Sequence, residues 1–465
     1  MHVPSMTDKH ALIQPDRGQE AIAIHLVNKP GLEAFVKALS APQRAALSAQ
    51  KFEGEGYAYA ILPEGDSWSV VAGVANPAQL SSWCVAKLGE VLPAGTYRLA
   101  GGEPGPAMFG WITGQYRFDR YRSDPSQEGA RVLLTRDVKA IDAALAEASA
   151  TALVRDMVNT PAEDMGPAEI EAQAEAVAKT NKAELRVTKG DALEREFPMV
   201  HMVGRAAARS HAPRMIEIEW GDPRHPRVAV VGKGVSFDSG GLDIKPPSGM
   251  LLMKKDMGGA AHALALAKLI MDAKLPVRLH VLVPAAENAV AGNAFRPGDV
   301  LRSRAGISVE IGNTDAEGRL ILADALARAG EDKPALMIDF ATLTGAARSA
   351  LGPDLPALFA REDETAKELL EAGEASDDPC WRLPLWNGYR EYLKSDIADI
   401  NNSQTNAYAG ASVAALFLDR FVPEGTDWAH FDTFAWRPAG KPGRPKGGDA
   451  LGLRAAWHML RRRYG

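Results

Sequence analysis

From about residue 161 onward, short apolar runs alternate with amphipathic segments, and that alternation limits the fold more than any other feature of the chain. Val228-Ala229-Val230-Val231 contains no polar residue, as expected of a strand covered on both faces. Residues 277–283 and 335–340 look similar, mostly apolar but interrupted by Arg278, His280 and Asp339. Between these runs lie helical segments, 257–274 and 319–329; in the second, Leu322, Ala325, Leu326 and Ala329 share one face. Strands and helices in this order predict a largely parallel central sheet covered by helices, an α/β architecture. In such sheets functional residues collect beyond the carboxyl ends of the strands. Lys233 follows the first run directly, and Thr342-Leu343-Thr344-Gly345 follows the last.

A chain of 465 residues exceeds what one hydrophobic core usually serves, so more than one domain is expected. Residues 1–134 read as a smaller N-terminal α/β domain. Ala21-Ile22-Ala23-Ile24 and Tyr57-Ala58-Tyr59-Ala60-Ile61-Leu62 look like strands, and 32–47 and 77–92 like helices. No titratable cluster with ligand or triad spacing falls there, so an assembly or regulatory role is the expectation. Val138, Ile141, Leu145, Ala148 and Ala152 then step at helical spacing until Asn159-Thr160-Pro161 stops the helix. Residues 135–160 are read as a helical connector and 161–465 as the larger, catalytic domain. The stretch 438–448, rich in Pro, Gly and Lys, is the most loop-like.

Composition narrows the function classes. With 53 Lys and Arg against 59 Asp and Glu, the net charge of -6 offers no general field for nucleic acid. The basic residues near the C-terminus, among them Arg461-Arg462-Arg463, read as a solvated surface. The two cysteines, Cys84 and Cys380, cannot build a disulfide framework or a cysteine zinc site. Met1 to Glu20 lacks the apolar core of a secretion signal, and no run of about 18 apolar residues occurs to cross a membrane. A cytoplasmic location is the expectation, which makes the glycosylation-like Asn401-Asn402-Ser403 incidental.

The chemistry lies in two runs: Gly232-Lys233-Gly234-Val235-Ser236-Phe237-Asp238-Ser239-Gly240-Gly241 and Asn313-Thr314-Asp315-Ala316-Glu317-Gly318-Arg319-Leu320. Lys245 and the segment Lys254-Lys255-Asp256-Met257-Gly258-Gly259 lie between them. Four carboxylates in glycine-rich turns suit hard cations, which take oxygen ligands, while glycine lets backbone approach closely. Brought together without cations they would repel one another, and some would hold protons. There is no His-Glu-x-x-His pair, no phosphate loop, no Gly-x-Gly-x-x-Gly fingerprint and no Gly-x-Ser-x-Gly elbow. His262 and His430 read as packed or supporting side chains rather than ligands.

These residues resemble the leucyl (cytosol) aminopeptidases, a family of two-metal exopeptidases. The resemblance rests on 230–241, Ile244-Lys245-Pro246, Met257-Gly258-Gly259-Ala260-Ala261, Arg296-Pro297-Gly298-Asp299-Val300, the octapeptide 313–320 and 341–346, with Asn159-Thr160-Pro161 at the domain junction. It implies that Asp238 and Glu317 bridge two divalent ions, with Asp315 completing one site and Lys233 with Asp256 the other. It implies further that Lys245 polarises the scissile carbonyl and that Arg319 holds a bicarbonate-like anion. Met253, Asn313, Ala316, Thr342, Leu343 and Gly345 are implied around the substrate. The implied reaction is removal of the N-terminal residue of short peptides by a two-metal-activated water. Zinc or manganese fits the donor set, with magnesium or cobalt possible at the more labile site. A homohexamer, built as a dimer of trimers, is implied as the assembly.

Residues 406–415 and 431–435 depart from the commoner family pattern in a stretch that helps wall the specificity pocket, so a leucine preference does not follow. Two alternatives stand beside this reading. One is a non-enzymatic assembly or DNA-binding role; the other is a different two-metal hydrolase such as a phosphatase.

Overall fold

The computed structural model describes residues 12–124 and 128–465; the first half of the Met1–Glu20 segment lies outside them. The chain forms two compact units. One runs to Ala152 and also takes in Ala439–Lys446; the other comprises Leu153–Pro438 and Gly447–Gly465.

The first unit is built on a six-stranded sheet: β1 (Ile13–Pro15), β2 (Ile22–Val27), β3 (Tyr59–Glu64), β4 (Ser67–Gly73), β5 (Gly95–Leu99) and β6 (Arg131–Thr135), in the order β1-β6-β5-β2-β4-β3. All pairs are parallel except β3 with β4. Strand periodicity sends neighbours to opposite faces. Val70 joins Ile24, Tyr97 and Trp111 in one core, and Val71 joins Val27, Leu47 and Leu62 in the other.

The segment 32–47 is two helices rather than one, Leu32–Ala38 and Ala41–Ala49. Ser40 caps the second through a reciprocal box with Gln43, and a proline sits in its first turn, so the chain restarts there. Within 77–92 only Ala86–Val91 is α-helical. The long helix spans Val138–Asn159, and the division between the two units falls inside it, not at 134 or 160.

The second unit carries β7 (Glu184–Lys189), β8 (Arg214–Trp220), β9 (Arg227–Gly232), β10 (Gly234–Asp238) and β11 (Arg278–Asn288). There follow β12 (Val300–Arg302), β13 (Ser308–Glu310), β14 (Leu336–Ala341), β15 (Ala357–Ala360), β16 (Trp381–Arg382), β17 (Ile400–Asn401) and β18 (Trp428–Asp432). The main sheet has the order β16-β15-β18-β14-β9-β11-β8-β7, with β10 also on β11. Its centre, β18-β14-β9-β11, is parallel, and antiparallel pairs occur toward the edges. The expected mostly parallel sheet is therefore present. Val228 to Val231 are fully buried, which is why that run contains no polar residue.

Two covering helices start beside the central strands, Gly258–Asp272 and Glu317–Glu331. Gly259 permits the first approach: a Cβ there would lie 2.1 Å from the Phe340 carbonyl oxygen and 2.7 Å from the Lys233 nitrogen. A small sheet, β12-β13-β17, brings the segment after Asn401 beside residues 312–316.

Candidate metal and active site

The central strands deliver the titratable groups to one end of the sheet. Lys233 follows β9, Asp238 closes β10, Thr342 follows β14 and Asp432 closes β18, all at carboxyl ends. Asp256 lies in the short turn Met253–Met257 that leads into the helix Gly258–Asp272. Asp315 precedes the helix Glu317–Glu331, and Glu317 opens it, two residues earlier than the apolar spacing alone placed its start.

All six expected metal and catalytic side chains other than Arg319 meet in one ion-paired cluster. Lys233 Nζ stands 2.7 Å from Asp256 Oδ2 and 2.9 Å from Glu317 Oε1. Lys245 Nζ is 2.7 Å from Asp238 Oδ2 and also pairs with Asp315. Lys233, Asp238, Asp256 and Glu317 are each at most 3% exposed. Gly318 makes room for this packing, since a Cβ there would meet Lys233 Cε at 2.5 Å. Arg319 points elsewhere along the cavity wall, donating from Nη1 to the Asn402 carbonyl at 2.6 Å.

The charges are strained in a consistent way. Burial and the neighbouring Asp238 push Glu317 up to about 8 and Asp315 up to about 6. Burial opposes the Lys233 charge, but Asp256, Glu317 and Asp238 outweigh it and hold the ammonium well above its ordinary range. Lys245 is held up in the same way, by Asp238 and Glu317 against burial. Asp256 resists burial through Lys233 and Lys255 and stays below the usual carboxylate range. Burial brings Arg319 down to about 10, so it remains a cation at neutral pH.

The donor set fits divalent cations. Asp238, Asp315 and Glu317 offer carboxylate oxygens within 4.8 Å of one another. Neither Glu317 oxygen accepts a well-directed hydrogen bond among the described residues, although Lys233 lies close to one of them. Buried carboxylate oxygens without donors are what a hard cation would satisfy.

Polar side chains from distant segments hold the acids in place. Asn288 Nδ2 donates to Asp238 Oδ1 at 2.8 Å and to the Thr314 carbonyl at 3.1 Å. The Thr342 hydroxyl donates to Asp256 Oδ1 at 2.8 Å. Asn402 accepts from the amides of Gly312 and Asn313 and donates back to the Asn313 carbonyl. Asp432 accepts from the amides of Leu343 and Thr344 and from the Thr344 hydroxyl. Asn288 lay beyond the apolar run 277–283, although β11 continues to it. Asn402 sat in a run read only as a glycosylation pattern.

A cavity of about 290 Å³ opens on this cluster. Lys233, Asp315, Glu317 and Arg319 line it, together with Asn313, Ala316, Leu343 and Gly345 from the expected substrate set. Met253 and Thr342 are not in its lining. Asn406, Ala407 and Gly410, from the divergent stretch, are. His262 and His430 are fully buried: His262 bonds the Gly258 carbonyl and the Leu451 amide, and His430 pairs with Asp339. Among the described residues no helix is long and apolar enough to cross a membrane.

The catalytic domain of the cytosol aminopeptidase family matches residues 152–456, and the N-terminal domain of the M17 aminopeptidases matches residues 22–135. The chain is 37% identical over 435 residues to the probable cytosol aminopeptidase of Roseiflexus castenholzii, covering 90% of this chain and 88% of that one. It is similar to the crystal structure of the cytosol aminopeptidase from Coxiella burnetii, with a TM-score of 0.91 and 45% identity over 97% of this chain and 99% of that one. The bottromycin maturation enzyme BotP in complex with Mn aligns at a TM-score of 0.86 and 34% identity, covering 96% and 100%. Fold and carboxylate cluster together define an α/β metallohydrolase. The chain belongs to the cytosol aminopeptidase family. It is a metal-dependent aminopeptidase, a hydrolase whose substrates are peptides. The phosphatase and DNA-binding alternatives are not favoured.

Proposed function

We propose that this aminopeptidase removes the N-terminal residue from short peptides at the Lys233–Lys245 carboxylate cluster. The observation that carries the reading is the meeting of four carboxylates and two lysines at the carboxyl ends of the central parallel strands. Lys233, Asp238, Asp256, Asp315 and Glu317 would hold two divalent ions. Zinc or manganese suits them, with magnesium or cobalt at the more labile site; the manganese complex of BotP supports manganese. When bound, the ions supply the Lewis acidity that activates water and the peptide carbonyl.

The chain's own groups do the rest. Lys233 must give up its proton to act as a ligand, so metal binding and proton release are linked. Lys245 keeps its charge and stabilises the oxyanion developing on the scissile carbonyl. Arg319, anchored by the Asn402 carbonyl, presents its remaining donors to the cavity, where a bicarbonate-like anion would take the proton from water. Asn313, Ala316, Leu343 and Gly345 position the substrate, and Thr342 orients Asp256. Met253 joins this set on the family resemblance alone. The same resemblance supports a homohexamer, a dimer of trimers, and relatives named as cytosol aminopeptidases support a cytoplasmic location.

The test is hydrolysis of aminoacyl-anilides and dipeptides by metal-stripped protein, before and after manganese or zinc is restored. Release of N-terminal residues that depends on metal in the wild type and is lost in Glu317→Ala is the expected result. Activity retained in the stripped protein would refute the reading.

A further inference from the structure

Arg319 lines the cavity but is held there by a single bond. Its Nη1 donates to the Asn402 carbonyl at 2.6 Å, and the guanidinium makes no other hydrogen bond or ion pair among the described residues. A guanidinium carries its N–H donors in a rigid fork, so the direction of the remaining donors follows from where that one carbonyl sits. The placement of Asn402 therefore bears on the reaction, although Asn402 itself lines no part of the cavity.

The Asn402 side chain is fully buried, and both ends of its amide turn to the segment that carries the metal and substrate residues. Oδ1 accepts from the amides of Gly312 at 2.9 Å and Asn313 at 3.2 Å, and Nδ2 donates to the Asn313 carbonyl at 2.8 Å. The contacts close a ring. It runs from the Asn402 side chain to Gly312 and Asn313, along the chain into the helix Glu317–Glu331, through the Arg319 side chain and back to the Asn402 carbonyl. Bonds from both the side chain and the carbonyl of one residue fix its peptide plane; without the side-chain bonds the carbonyl can turn, and Arg319 with it. Other contacts keep the segment attached. β17 pairs with β13, the Asn402 amide donates to the Glu310 carbonyl at 2.9 Å, and Asp399 accepts from the amide and hydroxyl of Ser308. What the Asn402 side chain adds is placement.

We propose that Asn402 is a positioning residue for the hydrolysis, its side-chain amide fixing the carbonyl that aims Arg319 into the cavity. The inference rests on the aminopeptidase reading and on the part Arg319 plays in it. A shift of about 1 Å in a group that serves the reacting atoms costs up to about 10²-fold in rate, so a side chain that never meets the substrate can still govern kcat.

The experiment is a double-mutant cycle on the manganese-loaded full chain, with an aminoacyl-anilide that the wild type cleaves. Asn402→Ala is expected to lower kcat by about 10–10²-fold while KM moves by less than about threefold and the manganese content stays that of the wild type. In an Arg319→Ala background the same change is expected to cost less than about threefold, because the group it places is gone. Asn402→Asp keeps the shape and the acceptor for the two amides but loses the donor to the Asn313 carbonyl. It is expected to show the same non-additivity, and it keeps the test open should Asn402→Ala fail to fold. Losses that multiply in the double variant would overturn the inference, since Asn402 would then support the fold without serving Arg319. So would an unchanged kcat in Asn402→Ala. Manganese lost from Asn402→Ala would overturn it as well, placing the effect on Asp315, whose amide donates to the Asn313 side chain. Each of these leaves the aminopeptidase reading intact. Silence of the wild type toward every anilide and dipeptide would overturn both.

Discussion

Glu317→Gln should stabilise the metal-free protein at high pH while abolishing metal-dependent activity. Burial and Asp238 lift the Glu317 carboxyl from an ordinary 4.5 to about 8. The unfolded chain releases this proton near 4.5 and the folded, metal-free chain near 8. The stabilisation from the proton is therefore complete below 4.5 and lost as pH rises through 8. At about 1.4 kcal/mol per unit the whole span amounts to roughly 5 kcal/mol. Glu317 titrates together with charged neighbours such as Lys233, so about 2–5 kcal/mol is assigned to Glu317 itself. Glutamine keeps the shape and never ionises. In urea unfolding of stripped protein, the stability gap in favour of the variant should widen steadily from pH 5 to pH 9. Asp324, also raised by burial but held by the Met199 and Arg304 amides outside the cluster, titrates in both proteins and cancels in the difference. A gap that stays constant or closes as pH rises would refute the reasoning.

Because Glu317 and Lys233 hold protons in the metal-free cluster at neutral pH, manganese binding should release protons and strengthen as pH rises from 6 to 8; calorimetry in buffers of different ionisation enthalpy measures both. Lys245→Met should lower kcat by about 10²–10³ with a smaller change in KM, since the lost interaction belongs to the oxyanion. Arg319→Ala should lower kcat by about 10²-fold, with added bicarbonate failing to restore it. Asp449→Asn breaks the buried pair with Arg155 at 2.9 Å and should cost about 3–5 kcal/mol in denaturant unfolding, with activity per folded molecule kept.

What the residues disclosed depended on where their constraints lie. The run at 228–231 was legible because a strand buried on both faces leaves no polar position to confuse the period, and 277–283 and 335–340 were legible because apolar residues dominate them despite Arg278, His280 and Asp339. The acids and lysines were legible because they fall in glycine-rich segments beside strand ends or helix starts. Asn288, Asn402 and Asp432 were not, because a polar side chain that supports a ligand from another segment has no local period. The helix break at Ser40 was written in a capping box inside a pattern that otherwise runs on. The grouping of Ala439–Lys446 with the first unit is a tertiary fact with no local signal.

The central claim is that five residues, Lys233, Asp238, Asp256, Asp315 and Glu317, hold two divalent ions. Elemental analysis of manganese-loaded, desalted protein, read alongside anilide hydrolysis, tests it most directly. Two ions per chain in the wild type, with fewer ions and no hydrolysis in Glu317→Ala, is the predicted result. A full complement of metal in Glu317→Ala, or hydrolysis by wild type without bound metal, would contradict the account.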